Sequence, residues 1–143
     1  MRKLDLAIVK HTGTNYGLVN IGDYIQTKAV IDILNTQNIK ILDREKLNNY
    51  KGNRIKTVVN GWFMESPENW PPSKNIYPLF ISFHINPSVK DTFTNQDSIN
   101  YFKKYEPIGC RDYYTRDLLL EHGINAYFSS CVTLGIKRKK YLK

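Results

Sequence analysis

The amino-acid sequence predicts an α/β fold: a Rossmann-like, mostly parallel sheet with helices on both faces. Short apolar runs of strand character recur through the 143 residues, and segments with helical spacing lie between several of them. The runs are continuously apolar, which is typical of parallel strands covered on both faces. Hydrophobic residues make up 41% and charged residues 24% of the chain, a composition that supports one globular domain.

Six strands are predicted, each a short apolar run bounded by turn residues. They cover residues 4–10, 38–43, 54–61, 79–84, 107–110 and 125–130. The third is expected to stop at Asn60-Gly61, a pair that commonly forms a turn. Residues 62–78 hold four of the six prolines and both tryptophans, which indicates a long ordered loop. Its aromatic side chains could stack on sugar rings or anchor the loop, and anchoring is the commoner role.

Three helices are predicted. The first covers about residues 22–34, and its apolar residues recur every four positions, which predicts one stripe formed by Ile21, Ile25, Ala29 and Ile33. The second is expected to start at a capping box of Thr94 and Asp97 and to turn inward Ile99, Phe102 and Tyr105. The third covers residues 112–123, with Gly123 at the left-handed position that ends many helices.

The net charge of +8 is concentrated at the C-terminus. Residues 137–143, KRKKYLK, hold five of the 21 basic side chains and no acidic one, so residues 1–136 carry 16 basic and 13 acidic groups. We therefore divide the chain into a Rossmann-like lobe, residues 1–136, and a basic tail, residues 137–143. So small an excess of positive charge on the lobe disfavours a polynucleotide groove, and nucleic acid is not an expected partner.

The N-terminal segment MRKLDLAIVK carries a charge inside its only apolar run, so it does not resemble a signal peptide. No apolar stretch is long enough to span a bilayer. The two cysteines, Cys110 and Cys131, are too few for a disulfide framework. These observations predict a cytoplasmic protein with free thiols and no transmembrane segment.

Polar residues follow most of the predicted strands. Because open parallel sheets bind ligands beyond the carboxyl ends of their strands, these residues are expected to share one edge of the sheet. They are Asn15, Asn20, Gly22 and Asp23 after the first strand, Asn60, Gly61 and Trp62 after the third, His84 after the fourth, Arg111 and Asp112 after the fifth, and Ser129, Ser130 and Cys131 after the sixth.

Four of these residues have a structural alternative. Asp23 could do no more than complement the positive end of its helix, worth about 0.3–1 kcal/mol. Asp112 stands where a helix cap belongs, and capping is its expected role. Arg111 could bind phosphate or carboxylate beside the helix amides, or pair with Asp23 or Asp112. His84 could act as a general acid–base, or bond to a loop carbonyl as a packed histidine.

Two kinds of site are disfavoured. Cys110, Cys131 and His84 match no zinc spacing, so no metal is expected. The glycines of the segment GTNYGLVNIG have the wrong spacing for a dinucleotide fingerprint.

Four segments of the chain, taken in order, resemble the polysaccharide pyruvyl transferase family. They are NIGDYIQTKAV, VVNGWF, PLFISFH and EPIGCRDYYTRDLLLEHGINAYFSSCVTL, and they lie within residues 15–134. The most specific pieces are the helix start with Asn20, Gly22 and Asp23, and the pair Arg111-Asp112 followed by a helix.

The resemblance implies one lobe of a GT-B-type two-domain fold that transfers pyruvate from phosphoenolpyruvate to a pair of sugar hydroxyls as a ketal. The resemblance implies no cofactor: phosphoenolpyruvate is the donor substrate, and a saccharide is the acceptor. Asp23 and His84 would be the catalytic acid–base or hydroxyl contacts. The substrate-binding residues would be Asn15, Asn20, Gly22, Asn60, Gly61, Arg111 and Asp112, with Arg111 holding the anion.

The sequence departs from the family pattern in two places. Ser129, Ser130 and Cys131 stand where many members have an aspartate and a proline. Family members also continue beyond the position of Lys143 into a second domain, which is expected to supply much of the donor site. The chain is therefore expected to need a second lobe or a second copy. The alternative is a non-catalytic lobe that binds a saccharide or an anion, or that pairs with a partner chain.

Overall fold

The computed structural model describes residues 5–10, 20–36, 38–62 and 65–136. They form one sheet of six parallel strands in the order β2-β1-β3-β4-β5-β6. The strands are β1 (Asp5–Lys10), β2 (Ile39–Asp43), β3 (Ile55–Trp62), β4 (Ile76–His84), β5 (Ile108–Cys110) and β6 (Ala126–Phe128). The helices are α1 (Ile21–Leu34), α2 (Lys90–Thr94), α3 (Gln96–Tyr105) and α4 (Tyr113–Glu121). The predicted fold class is confirmed.

Both faces of the sheet are covered, as predicted. Helix α1 and a 3₁₀ turn at Val132–Gly135 cover one face, where Ile8, Val30 and Val58 form a small core. The larger core lies on the other face and takes side chains from the strands, α2, α3 and α4. Four fully buried phenylalanines, Phe80, Phe83, Phe93 and Phe102, fill its centre.

Trp70 anchors the proline-rich loop in this larger core. Its ring lies 5.1 Å from that of Phe93 and 5.4 Å from that of Phe102, measured between centroids. Tyr77 packs edge-on against Tyr105. The anchoring role is therefore confirmed for Trp70, because aromatic contacts of this kind stabilise a core.

Strand β4 starts three residues before the predicted position and includes Pro78. A proline inside an apolar run argues against a central strand, because it cannot donate a hydrogen bond to the ladder. The strand accepts Pro78 because β5 pairs with β4 only at Phe83 and Cys110. The first half of β4 therefore has one hydrogen-bonded neighbour, and a proline is tolerated there.

The apolar stripe of α1 is not its buried face, which corrects the sequence prediction. Ile21, Ile25 and Ile33 are 73%, 42% and 53% exposed. Ala29 is the one stripe residue that is buried, and the helix otherwise buries Asp23, Gln26, Thr27 and Val30. Its first turns lie over the ends of β1 and β3, where polar groups need polar partners, so the buried face is rotated away from the isoleucines.

The second helix is capped one residue later than predicted. Asn95, not Thr94, accepts a hydrogen bond from the backbone N–H of Ser98 and starts α3. Thr94 ends the short helix α2, where its hydroxyl donates to the carbonyl of Lys90. The inward residues of α3 agree with the prediction: Phe102 is fully buried, and Ile99 and Tyr105 pack against the core.

The first and third helices start and end close to their predicted positions. Asp112 caps α4, and Gly123 follows its end with φ +69°. In the described part of the chain, no helix has the length and apolar character needed to cross a bilayer.

Candidate active site

A β-bulge shapes the carboxyl ends of the central strands. Between two paired positions β3 advances by two residues, from Val59 to Gly61, while β4 advances by three, from Phe80 to Phe83. One residue of β3 thus opposes two of β4, and Ser82 takes φ 56°. The predicted turn at Asn60-Gly61 is therefore wrong, since β3 runs on through Gly61 to Trp62.

The bulge decides where His84 points. Phe80 and Phe83 both lie in the larger core although they are three residues apart. Because strand side chains alternate between faces, an uninterrupted strand could not bury both on one side. After the bulge, Phe83 and Ile85 face the larger core, so His84 lies on the opposite face, the one that carries α1.

A polar pocket lies where α1 crosses the ends of β1 and β3. Its lining consists of Val9, Asp23, Gln26, Thr27, Arg44, Asn60 and Gly61. Its volume is about 10 Å³, which is room for roughly one water-sized group. We call it the Asp23 pocket.

Three acceptor oxygens in the Asp23 pocket lack partners. Asp23 Oδ2, Gln26 Oε1 and Asn60 Oδ1 are buried, and none has a hydrogen-bond partner among the described residues. Buried polar atoms are normally paired, because leaving one unpaired costs about 1–3 kcal/mol. The pocket is therefore suited to a group that donates hydrogen bonds.

Gly61 keeps the pocket open. Its φ of +78° strongly favours glycine, and a Cβ placed there would lie 3.4 Å from Gln26 Oε1 and 3.8 Å from Arg44 Nη1.

Asp23 itself pairs with Arg44, with 3.4 Å between Oδ1 and Nη1. Complementing its helix is therefore not the only role of Asp23.

The second group of candidates surrounds His84. Its Nδ1 lies 2.5 Å from Asp112 Oδ2, and Asp112 Oδ1 accepts a hydrogen bond from the Thr115 backbone N–H. The fully buried Thr115 hydroxyl accepts one from the Ile85 backbone N–H, which ties α4 to the end of β4. His84 is thus held by a carboxylate and not by a loop carbonyl. In many active sites a carboxylate orients the histidine that acts as the general acid or base in the same way.

Electrostatics favour an ionised Asp112. Burial alone would raise the pKa of this carboxyl, but hydrogen bonds from the Thr115 backbone and from the His84 ring lower it below its ordinary value. His84 therefore has an anionic partner at neutral pH.

Arg111 lies between the end of β5 and the Asp112 cap of α4. Its backbone N–H donates to the Phe83 carbonyl, and its side chain is half-buried. Within the described residues its guanidinium forms no ion pair, so the predicted alternatives, a salt bridge to Asp23 or to Asp112, are not seen.

The serines after β6 form hydrogen bonds that involve backbone atoms. Ser129 Oγ donates to the Cys110 carbonyl and accepts from the Ser82 N–H, and the Ser130 carbonyl accepts from Ser82 Oγ at 2.6 Å. Ser130 also has a positive φ of 62°. These contacts hold the chain after β6 against the bulge.

The remaining candidates sit at the start of α1. Asn20 caps the helix by accepting from the Gly22 N–H at 2.9 Å, and a Cβ on Gly22 would approach the same oxygen to 3.0 Å. Asn15 lies outside the described residues.

The candidates thus form two groups at neighbouring strand ends. Asp23, Asn60 and Gly61 meet in the Asp23 pocket, and His84 meets Asp112. Trp62 and His84 are paired positions on adjacent strands, which lie about 4.8 Å apart. In the described ranges no three His, Cys, Asp or Glu side chains cluster as metal ligands would.

Sequence reasoning missed Gln26 and Arg44. Gln26 lies three residues after Asp23 on the same helical face, a spacing that could have identified it. Arg44 directly follows β2, so the rule that selected the other strand ends also applied to it.

One comparison with known proteins gives a match. The family model described as polysaccharide pyruvyl transferase matches residues 20–143, a span that contains both groups of candidates. No curated protein and no solved structure matches the chain.

Proposed function

The chain belongs to the polysaccharide pyruvyl transferase family, and from this premise we propose that it takes part in transferring pyruvate from phosphoenolpyruvate to two hydroxyls of a saccharide. One observation supports the proposal most: a buried carboxylate with an unpartnered oxygen and a carboxylate-held histidine lie at neighbouring strand ends of one parallel sheet.

The reaction requires two proton movements. The methylene carbon of phosphoenolpyruvate takes up a proton and becomes a methyl group, which leaves an oxocarbenium-like centre. One sugar hydroxyl adds to that centre, phosphate leaves, and the second hydroxyl closes the ketal. Of the two hydroxyl protons, one balances the proton on the methyl group and the other leaves with phosphate.

The two groups of residues suit these tasks. Asp112 holds the His84 ring through Nδ1, so the Nε2 atom of His84 would be the one to give or take a proton. Asp23 Oδ2 and Asn60 Oδ1 would accept hydrogen bonds from one attacking hydroxyl. Arg111, beside the N-terminus of α4, would hold the carboxylate or phosphate of the donor. Asn20 and Gly22 would shape the approach to the Asp23 pocket.

Phosphoenolpyruvate binding tests the anion site. We expect saturable binding by calorimetry, weakened at least about tenfold in Arg111→Ala, since hydrogen bonds to charged groups contribute about 1.5–3 kcal/mol. Arg54→Ala is the matched control, because Arg54 is exposed and precedes β3 at the opposite edge of the sheet. Equal affinities of the two variants would remove Arg111 from the proposal.

Product formation separates this proposal from a lobe that only binds. Incubation with phosphoenolpyruvate and a saccharide diol should release phosphate and form the ketal, and His84→Ala should slow the transfer by about 10²-fold or more. Binding without transfer would favour the non-catalytic alternative.

A further inference from the structure

Arg44 holds the Asp23 carboxylate from inside the protein. The two side chains are 3% and 5% exposed, and Nη1 lies 3.4 Å from Oδ1. A buried charge is stable only when it is paired, so the buried Asp23 carboxylate needs Arg44.

Glu45 fixes the opposite side of the guanidinium. Arg44 Nε donates to Glu45 Oε1 at 2.8 Å, while Glu45 Oε2 accepts from the Ser66 N–H at 3.1 Å. The backbone carbonyl of Glu45 also accepts from Asn69 Nδ2. The guanidinium therefore connects α1 to the loop after β3, a geometry that the single ammonium group of lysine cannot reproduce.

This arrangement leaves one oxygen of Asp23 for a ligand. Arg44 contacts Oδ1, and Oδ2 faces the pocket beside the unpartnered oxygens of Gln26 and Asn60. The two oxygens of an ionised carboxylate are equivalent, so whichever one contacts Arg44 leaves the other for the pocket. The second anchor, at Glu45, holds the guanidinium in place and so fixes where the Asp23 carboxylate is held.

We propose that Arg44 is the positioning residue of the site: it holds Asp23 so that Oδ2 accepts a hydrogen bond from a substrate hydroxyl in the Asp23 pocket. The saccharide nature of that substrate rests on the proposed function, but the orientation of Asp23 does not. In this proposal Arg44 influences the substrate by positioning Asp23.

The test uses the full chain and methyl β-D-galactopyranoside, whose 4- and 6-hydroxyls form a ketal-accepting pair. Binding is followed by NMR through the side-chain amide signals of Gln26 and Asn60. We expect Arg44→Lys to weaken binding of this probe at least tenfold while phosphoenolpyruvate binding stays within twofold of wild type. Arg116→Lys is the matched control, because Arg116 also pairs with a carboxylate, that of Asp117, but lies on the surface.

A second variant distinguishes the loss of positioning from misfolding. Glu45→Gln leaves Asp23 and Arg44 in place but loosens the guanidinium, and should weaken probe binding in the same direction by a smaller factor. A merely structural role would lower the urea midpoint of each variant without changing the affinity measured well below that midpoint.

The outcomes are distinct. Wild-type affinity in Arg44→Lys, or a wild-type chain whose Gln26 and Asn60 signals do not respond to the probe, overturns the role of Arg44. Absence of phosphoenolpyruvate binding in the wild type, with probe binding still dependent on Arg44, overturns the proposed function and leaves this inference standing.

Discussion

Asp112 uses its two carboxylate oxygens for different purposes. Oδ1 caps α4 through the Thr115 N–H, whereas Oδ2 holds the His84 ring. The sequence predicted the first contact from the position of Asp112 before a helix. The second depends on the register of β4 against β5, which no local pattern contains.

Substitutions at Asp112 separate the two contacts. Asp112→Ala removes both and should cost about 0.5–2 kcal/mol of stability at pH 7, the usual loss for a helix cap. Asp112→Asn keeps a good cap but removes the charge, so it should cost less. Urea unfolding at pH 7 measures both. Equal losses in the two variants would mean that the cap contributes nothing.

The charge of Asp112 also makes a prediction about pH. Its pKa is lowered in the folded chain from an ordinary value of 3.8, so the ionised form stabilises the fold above that value. The contribution is lost as the pH falls through the lowered pKa. The stability difference between wild type and Asp112→Asn should therefore shrink between pH 5 and pH 2. A constant difference over this range would contradict the lowered pKa.

The two thiols should differ in reactivity. Burial raises the pKa of Cys110 to about 12, so its thiolate fraction at pH 8 is on the order of 10⁻⁴. Cys131 is partly exposed. One thiol should react with a disulfide reagent in the native chain and two in guanidinium chloride. In Cys131→Ala, rapid labelling of the native chain should disappear; if it persists, Cys110 is accessible.

At the scale of elements, the bulge in β4 depends on one serine in an unusual conformation. Ser82 is fully buried at φ 56°, where a Cβ is strained, and its hydroxyl donates to the Ser130 carbonyl. The sequence around it, LFISFH, reads as a plain apolar strand. No residue in it has the turn chemistry that normally indicates a bulge, so the bulge could not be predicted.

Paired substitutions test this conformation. Ser82→Gly and Ser82→Ala both lose the hydroxyl, but glycine accepts a positive φ, so the glycine variant should be more stable by about 1 kcal/mol. Ser98 is the matched control, since it is equally buried and its hydroxyl also donates to a carbonyl at 2.6 Å, but it lies in α3. There alanine should be the more stable variant by about 0.5–1 kcal/mol. The same order at both sites would argue against the strained backbone.

Helix α1 shows why the apolar periodicity predicted the helix correctly but predicted its buried face wrongly. The stripe and the buried face have the same period, but the buried face is set by the pocket and not by the isoleucines. We expect Ile25→Ser to change stability by less than about 0.5 kcal/mol and Val30→Ala to cost about 1–3 kcal/mol. Thermal unfolding compares them, and a large loss in Ile25→Ser would show that a partner surface covers it.

At the scale of the whole molecule, the parallel sheet and the grouping of polar residues at its carboxyl edge were predictable, because both follow from general rules of α/β topology. The pairing of Asp23 with Arg44 was not, since it joins residues 21 positions apart through a buried contact between α1 and the end of β2. Charge patterning reveals neighbours on one helix, but not partners on separate elements.

The distribution of charge over the molecule leads to a final prediction. Residues 137–143 carry five positive charges, and such a tail attracts any anion over a distance set by the ionic strength. At 0.15 M salt the screening length is about 8 Å, so general attraction is weak while a guanidinium in contact with its ligand is little affected. Deleting residues 137–143 should therefore change phosphoenolpyruvate affinity by no more than about twofold, whereas Arg111→Ala reduces it at least about tenfold. If the deletion removes phosphoenolpyruvate binding and Arg111→Ala does not, the anion site belongs to the tail and the sheet edge loses its proposed donor site.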